Sequence, residues 1–193
     1  DRHEWPIAPP AQGVLDGSRA MILGYGAIGR MIGDRLRAFG VEVTAVARTA
    51  RPDEGVIAMA DWRAALRDQN WLIIAVPATP DTRHMVDGEA LATLPKGAQI
   101  VNIARGDCID QDALIAALAT KHIGGAFLDV VTPEPLPPEH PLWDAPDVLH
   151  SMHLSGVTQT GMFQRGAALF LGNLSAFLSG APMRNHVNLH LGY

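Results

Sequence analysis

Met21-Ile22-Leu23-Gly24-Tyr25-Gly26-Ala27-Ile28-Gly29-Arg30 runs from an apolar strand pattern, through glycines spaced G-x-G-x-x-G, into a helical pattern. The spacing predicts a strand–turn–helix unit that holds a dinucleotide. Gly24 permits a tight turn, Gly26 lets the backbone approach a pyrophosphate, and Gly29 lets helix and strand pack closely, with the helix N-terminus facing the anion. Ala27 and Ile28 join these glycines as candidate cofactor contacts. Ile28, Met31, Ile32, Leu36 and Phe39 then recur at helical spacing until Gly40, which predicts a helix ending near residue 38.

Outward from this unit the pattern alternates. Strands are expected at residues 20–23, 41–47, 71–76, 99–103, 124–130 and 148–150. Short helices are expected at 61–67, 88–94 and 110–120. The run Leu72-Ile73-Ile74-Ala75-Val76 is continuously apolar, as in a parallel strand covered on both faces. This is the signature of an α/β, doubly wound parallel sheet, a Rossmann domain. A long amphipathic helix near 161–179, with Phe163, Ala167, Phe170, Leu171, Leu174 and Phe177 on one face, is expected to close the domain as core or interface.

The 193 residues are 48% hydrophobic and 18% charged, an ordinary globular composition. A net charge of -5 and the lack of any Lys/Arg run argue against nucleic acid or an anionic membrane as partner. No apolar run reaches the ~18 residues of a membrane span, and no signal-peptide core is recognisable. Cys108 is the single cysteine; it reads as a small buried hydrophobe, and a reducing cytoplasm is the expected compartment.

In open parallel sheets ligands sit beyond the carboxyl ends of the strands. The residues there are strongly patterned: the glycine turn; Arg48, Thr49 and Arg51; Val76, Pro77 and Thr82; Ile103, Ala104 and Arg105; Asp129 with Glu134; and His153, Ser155 and Gly156. All of these except Glu134 are counted as candidate cofactor contacts. A site that prefers NAD(H) carries Asp or Glu about 20 residues past the glycines, to accept from the ribose hydroxyls. Arg48 stands there instead. It would pair with a 2′-phosphate, with Thr49 and Arg51 as further donors, so NADP(H) is favoured over NAD(H). The alternative is that Arg48 stacks on adenine and accepts either cofactor.

Four stretches, taken jointly, resemble the D-isomer-specific 2-hydroxyacid dehydrogenase family. They are the glycine turn; Val76-Pro77-Ala78-Thr79-Pro80-Asp81-Thr82-Arg83; Asn102-Ile103-Ala104-Arg105-Gly106; and Leu128-Asp129-Val130 through Pro133-Glu134-Pro135-Leu136 to His153-Leu154-Ser155-Gly156. Within that family, Thr132 to Pro137 and His140-Pro141-Leu142 look most like the glyoxylate and hydroxypyruvate reductase branch. The resemblance implies a small 2-keto or 2-hydroxy acid as substrate. Its implied catalytic set is Arg105 to hold the carboxylate, His153 to donate the proton and Glu134 as the charged partner of His153. No metal is implied. Asp129 would receive the nicotinamide carboxamide; its alternative role is to cap a strand end. His140 and His150 read as structural.

The resemblance further implies two lobes, with the substrate lobe largely absent from this chain. Residues 1–17 would be an extended lead-in, 18–180 the dinucleotide-binding domain, and 181–193 a tail returning toward the missing lobe. A homodimer is expected. A second reading, from another class, is a nicotinamide-nucleotide-sensing module without turnover, akin to corepressors of the same architecture.

Overall fold

In a computed structural model of the chain, residues 13–157 and 161–189 are described. The expected lead-in therefore lies mostly outside the described residues, as does the end of the tail. Seven strands form one all-parallel sheet: β1 (Arg19–Leu23), β2 (Glu42–Ala47), β3 (Val56–Ala58), β4 (Trp71–Ile74), β5 (Ala98–Asn102), β6 (Ile123–Leu128) and β7 (Val148–His150). Their spatial order is β3-β2-β1-β4-β5-β6-β7. The chain reverses direction across the sheet between β1 and β4, which opens a crevice at their carboxyl ends.

Side chains alternate across β1. Met21 and Leu23 join a core with Leu72, Ile74, Ile100, Leu114 and Leu118, whereas Ala20 and Ile22 pack with Tyr25, Val41, Ala45 and Ile73 on the other face. Helices α2 (Gly88–Thr93) and α3 (Gln111–Ala119) cover the first face. Helix α1 (Ala27–Ala38) covers the second through Ile32 and Leu36. Asp87 and Asp110 cap α2 and α3 by accepting from the Ala90 and Ala113 N–H groups, which satisfies backbone donors that a helix start leaves open.

The short helix expected at 61–67 is present as a 3₁₀ segment over Trp62–Asp68. Three other expectations needed correction. The short edge strand β3 was not anticipated; three residues carry too little periodicity to be seen. The apolar stripe of α1 is only half used, since Ile28, Met31 and Phe39 are exposed. Helix α4 (Met162–Ser179) exists as expected but buries no residue, and Phe163, Phe170, Leu171 and Phe177 stand in solvent. Periodicity reveals that a helix has an apolar face, not what covers it.

One rung of the sheet organises the functional edge. Val46, Leu23, Ile74, Asn102, Leu128 and His150 are paired in register across six strands. Ala75, Ile103, Asp129 and Ser151 continue the ladder one residue further, each donating its N–H to the carbonyl of a neighbouring strand's last residue. Every loop that follows this rung therefore starts from the same edge.

Candidate active site

The glycine turn is built as its spacing requires. Gly24 has φ +97, and a Cβ there would run into the backbone of Ala75 and Val76; one on Gly29 would strike the Gly24 carbonyl. A Cβ on Gly26 would meet nothing within 4 Å, because it would project into a groove of about 330 Å³. That groove brings together Gly24, Gly26, Ala27, Ile28, Gly29, Val76, Pro77, Ile103, Ala104 and Arg105. No side chain caps α1, so its first N–H groups point toward the open cradle. The donor set and the free space fit a dinucleotide pyrophosphate.

Beyond β2, Arg48 and Thr49 are exposed. Arg51 instead folds back onto the turn, its Nη2 donating to the Tyr25 carbonyl at 3.0 Å. Thr82 does not border the groove: its hydroxyl accepts from the Thr79 N–H at 2.8 Å and faces the Pro77 carbonyl at 2.8 Å. It shapes the loop that presents Val76 and Pro77. Asn102, which the sequence reading passed over as a site residue, is almost wholly buried. Its Oδ1 accepts from the Ala104 N–H and its Nδ2 donates to the Arg105 carbonyl, both at 3.0 Å. The signal was present: a polar side chain ending an otherwise apolar strand must find partners.

At the far end of the edge, Glu134 Oε2 lies 2.8 Å from His153 Nδ1, while Glu134 Oε1 accepts from the Val131 N–H at 3.0 Å. Burial pushes the Glu134 carboxyl up, but the His153 and Val131 hydrogen bonds and the charges of His153 and Arg105 outweigh it and hold the group below the usual carboxylate range. Met152 and His153 are both left-handed, at φ 50 and 57, an arrangement that costs of order 1–3 kcal/mol per residue and persists only when its surroundings enforce it.

Asp129 enforces it. Only 3% exposed, its Oδ1 accepts from Ser151 Oγ at 2.6 Å, Leu154 N–H at 2.9 Å and Ser155 N–H at 3.0 Å. Oδ2 accepts from Ser155 Oγ at 2.5 Å, and the Asp129 carbonyl accepts from the His153 N–H. Burial raises this carboxyl, yet the serine hydroxyls and backbone donors outweigh burial and hold it below its ordinary value. The geometry is that of a strand-end cap enlarged into a clasp for the 151–155 loop. Ser155 belongs to that clasp; Gly156 is exposed with open space around it.

Beside the Glu134–His153 pair lies a mainly apolar cavity of about 440 Å³, walled by Leu128, Val131, Leu136, Trp143, His150 and Met152. His150 and Trp143 rings are 5.2 Å apart, and His140 Nδ1 accepts from the Leu142 N–H at 3.1 Å, so both histidines brace the wall. Cys108 is buried, and its thiol is raised by that burial.

The family model for the NAD-binding domain of the D-isomer-specific 2-hydroxyacid dehydrogenases matches residues 1–155. The chain belongs to that family. It is 35% identical over 198 residues to glyoxylate/hydroxypyruvate reductase A of Serratia proteamaculans, covering 100% of this chain and 61% of that protein. A D-isomer-specific 2-hydroxyacid dehydrogenase of Xanthobacter autotrophicus, solved with NADPH and MES, superposes with a TM-score of 0.86 at 33% identity over 98% of this chain and 77% of that one. The NADPH-dependent glyoxylate/hydroxypyruvate reductase of Sinorhizobium meliloti, solved with NADP and sulfate, gives 0.88 at 28% identity over 99% of this chain and 61% of the other. This member of the dehydrogenase family thus spans about six tenths of the Serratia relative. No helix among its described residues is long and apolar enough to cross a membrane.

Proposed function

We propose that this chain is the cofactor-binding lobe of an NADP(H)-preferring reductase of small 2-keto acids, glyoxylate or hydroxypyruvate being the best candidates. The observation that carries the reading is the 2.8 Å Glu134–His153 contact on the same sheet edge as Arg105 and the glycine groove.

When bound, the reduced nicotinamide supplies the hydride. The Arg105 guanidinium offers two parallel donors that suit the substrate carboxylate, and its fixed charge polarises the adjoining carbonyl. As the carbonyl oxygen gains charge it needs a proton. His153 supplies it from Nε2, because Nδ1 is engaged by Glu134. Glu134 is a positioning residue: its anion fixes the ring and supports the imidazolium. In the oxidative direction the neutral ring takes the proton back. Asp129 holds the His153 backbone, and its Oδ2, with one donor among the described residues, offers an acceptor to the nicotinamide carboxamide. Arg48 and Thr49, exposed at the end of β2, are assigned to the 2′-phosphate. Homodimerisation belongs to the same proposal, and the exposed apolar face of α4 supports assembly.

The test is a fluorescence titration of the chain with NADPH and NADH, followed by glyoxylate and hydroxypyruvate turnover by the chain and by the whole protein. Tighter NADPH binding, with turnover confined to the whole protein, is expected. Binding without turnover in the whole protein would move the reading to nucleotide sensing.

A further inference from the structure

The loop from β2 to β3 carries an anion where the cofactor reading needs cations. Residues 51–56 form a tight hairpin, in which Arg51 and Val56 exchange backbone hydrogen bonds around Gly55 at φ 67. This presents Glu54 toward the glycine turn. Its Oε2 lies 2.7 Å from Arg30 Nη1 and 3.4 Å from Arg51 Nε. Both arginines are anchored on Tyr25, the residue between the first two glycines. The Arg30 guanidinium sits 5.4 Å from the Tyr25 ring centre, and Arg51 Nη2 donates to the Tyr25 carbonyl. Arg51 Nε is buried and has no hydrogen-bond acceptor among the described residues, so Glu54 meets it as a neighbouring charge rather than as a hydrogen-bond partner.

We propose that Glu54 is a specificity-determining residue for the dinucleotide, an internal anion that neutralises Arg30 and Arg51 and so weakens this chain's hold on a 2′-phosphorylated cofactor. The inference rests on the NADP(H) reading and deepens it. Beside the turn, Glu54 offsets one of the two guanidinium charges of Arg30 and Arg51 that an incoming dianionic phosphate would meet. The ion pairs are roughly 40% exposed, a setting in which such contacts are worth little and exchange readily. The Coulomb repulsion between Glu54 and the phosphate persists whichever arginine moves. The NAD(H) ribose, carrying hydroxyls in place of the phosphate, is nearly indifferent to the same charge.

The experiment measures binding of 2′,5′-ADP and 5′-AMP by calorimetry to the wild-type chain, Glu54→Gln, Glu54→Ser, Glu54→Gln/Arg51→Gln, and Asp53→Asn as a control. Asp53→Asn removes a charge from the same turn outside the arginine cluster. Removing Glu54 should tighten 2′,5′-ADP about three- to ten-fold, the scale of one screened charge contact, and steepen its salt dependence, with 5′-AMP changing less than about two-fold. Loss of Arg51 should erase the gain, and Asp53→Asn should leave the ratio unchanged. Equal changes for both nucleotides, or weaker 2′,5′-ADP binding by both Glu54 variants, would overturn the proposal alone. A wild-type chain that does not prefer 2′,5′-ADP to 5′-AMP would overturn the NADP(H) reading and this inference with it.

Discussion

Asp129 holds His153 in place without touching its ring: the Asp129 carbonyl accepts the His153 N–H while its carboxylate collects the four donors of Ser151, Leu154 and Ser155 around it. Asp129→Asn removes the charge that the four donors share: the Ser155 hydroxyl on Oδ2 can rotate to accept from the new amide, whereas the Leu154 and Ser155 N–H groups on Oδ1 are fixed and are left with a neutral acceptor. The variant should lose about 2–4 kcal/mol in urea unfolding at pH 7, the cost of breaking charged hydrogen bonds at a buried site. Unchanged stability would mean that the clasp does not constrain the loop.

The same group sets a pH dependence. The folded-state pKa of Asp129 is depressed, so its contribution is complete above the unfolded-state value and is lost as pH falls through the folded one. The gap between wild type and Asp129→Asn should therefore be full at pH 7 and shrink below roughly pH 4. Chemical denaturation across this range reads it directly; a gap that widened toward acid would contradict the assignment.

Glu134→Gln keeps the shape of the pair but removes its anion. Reduction by the whole protein should fall about 10- to 100-fold, because the ring loses the charged acceptor that orients it for proton transfer. NADPH affinity should change little. A rate close to that of the wild type would remove Glu134 from the positioning role.

The roles of the last two glycines of the turn separate cleanly. Gly29→Ala drives a methyl into the Gly24 carbonyl and should cost about 1–3 kcal/mol of stability. Gly26→Ala meets nothing within 4 Å; its stability should shift by less than about 1 kcal/mol, while NADPH binding weakens at least about ten-fold. Thermal melts and nucleotide titrations of the two variants distinguish packing from ligand approach.

Arg48→Asp replaces an exposed cation at the end of β2 with the acid typical of NAD(H) sites. NADPH binding should weaken by about 1–3 kcal/mol, and NADH binding much less. Equal losses would remove Arg48 from phosphate recognition.

The sheet was legible because β1 and β4 are largely apolar runs that lead into a glycine or proline turn, and local pattern suffices for that. Asn102 was legible as a polar residue that ends an apolar strand and needs partners, but which groups it holds was not, since only folding brings the Ala104 N–H and the Arg105 carbonyl onto this buried side chain. The Arg51–Glu54 relation was hidden for a related reason: three residues of spacing mark neighbours on a helical turn, but a single 3₁₀ turn over Pro52–Glu54 carries too little periodicity to be seen, and only folding brings Arg51 onto the Tyr25 carbonyl. The face of α4 was legible as apolar, but its exposure was not, because coverage is a property of whatever packs on it.

The central claim is that His153, backed by Glu134 and facing a carboxylate held by Arg105, delivers the proton in keto acid reduction. NADPH consumption with glyoxylate and hydroxypyruvate, by the whole protein and its His153→Gln variant, tests it most directly. The account predicts turnover in the wild type, a loss of about 10²–10⁴-fold in kcat for the variant, and unchanged NADPH affinity. A variant that reduces either acid at close to the wild-type rate would contradict it.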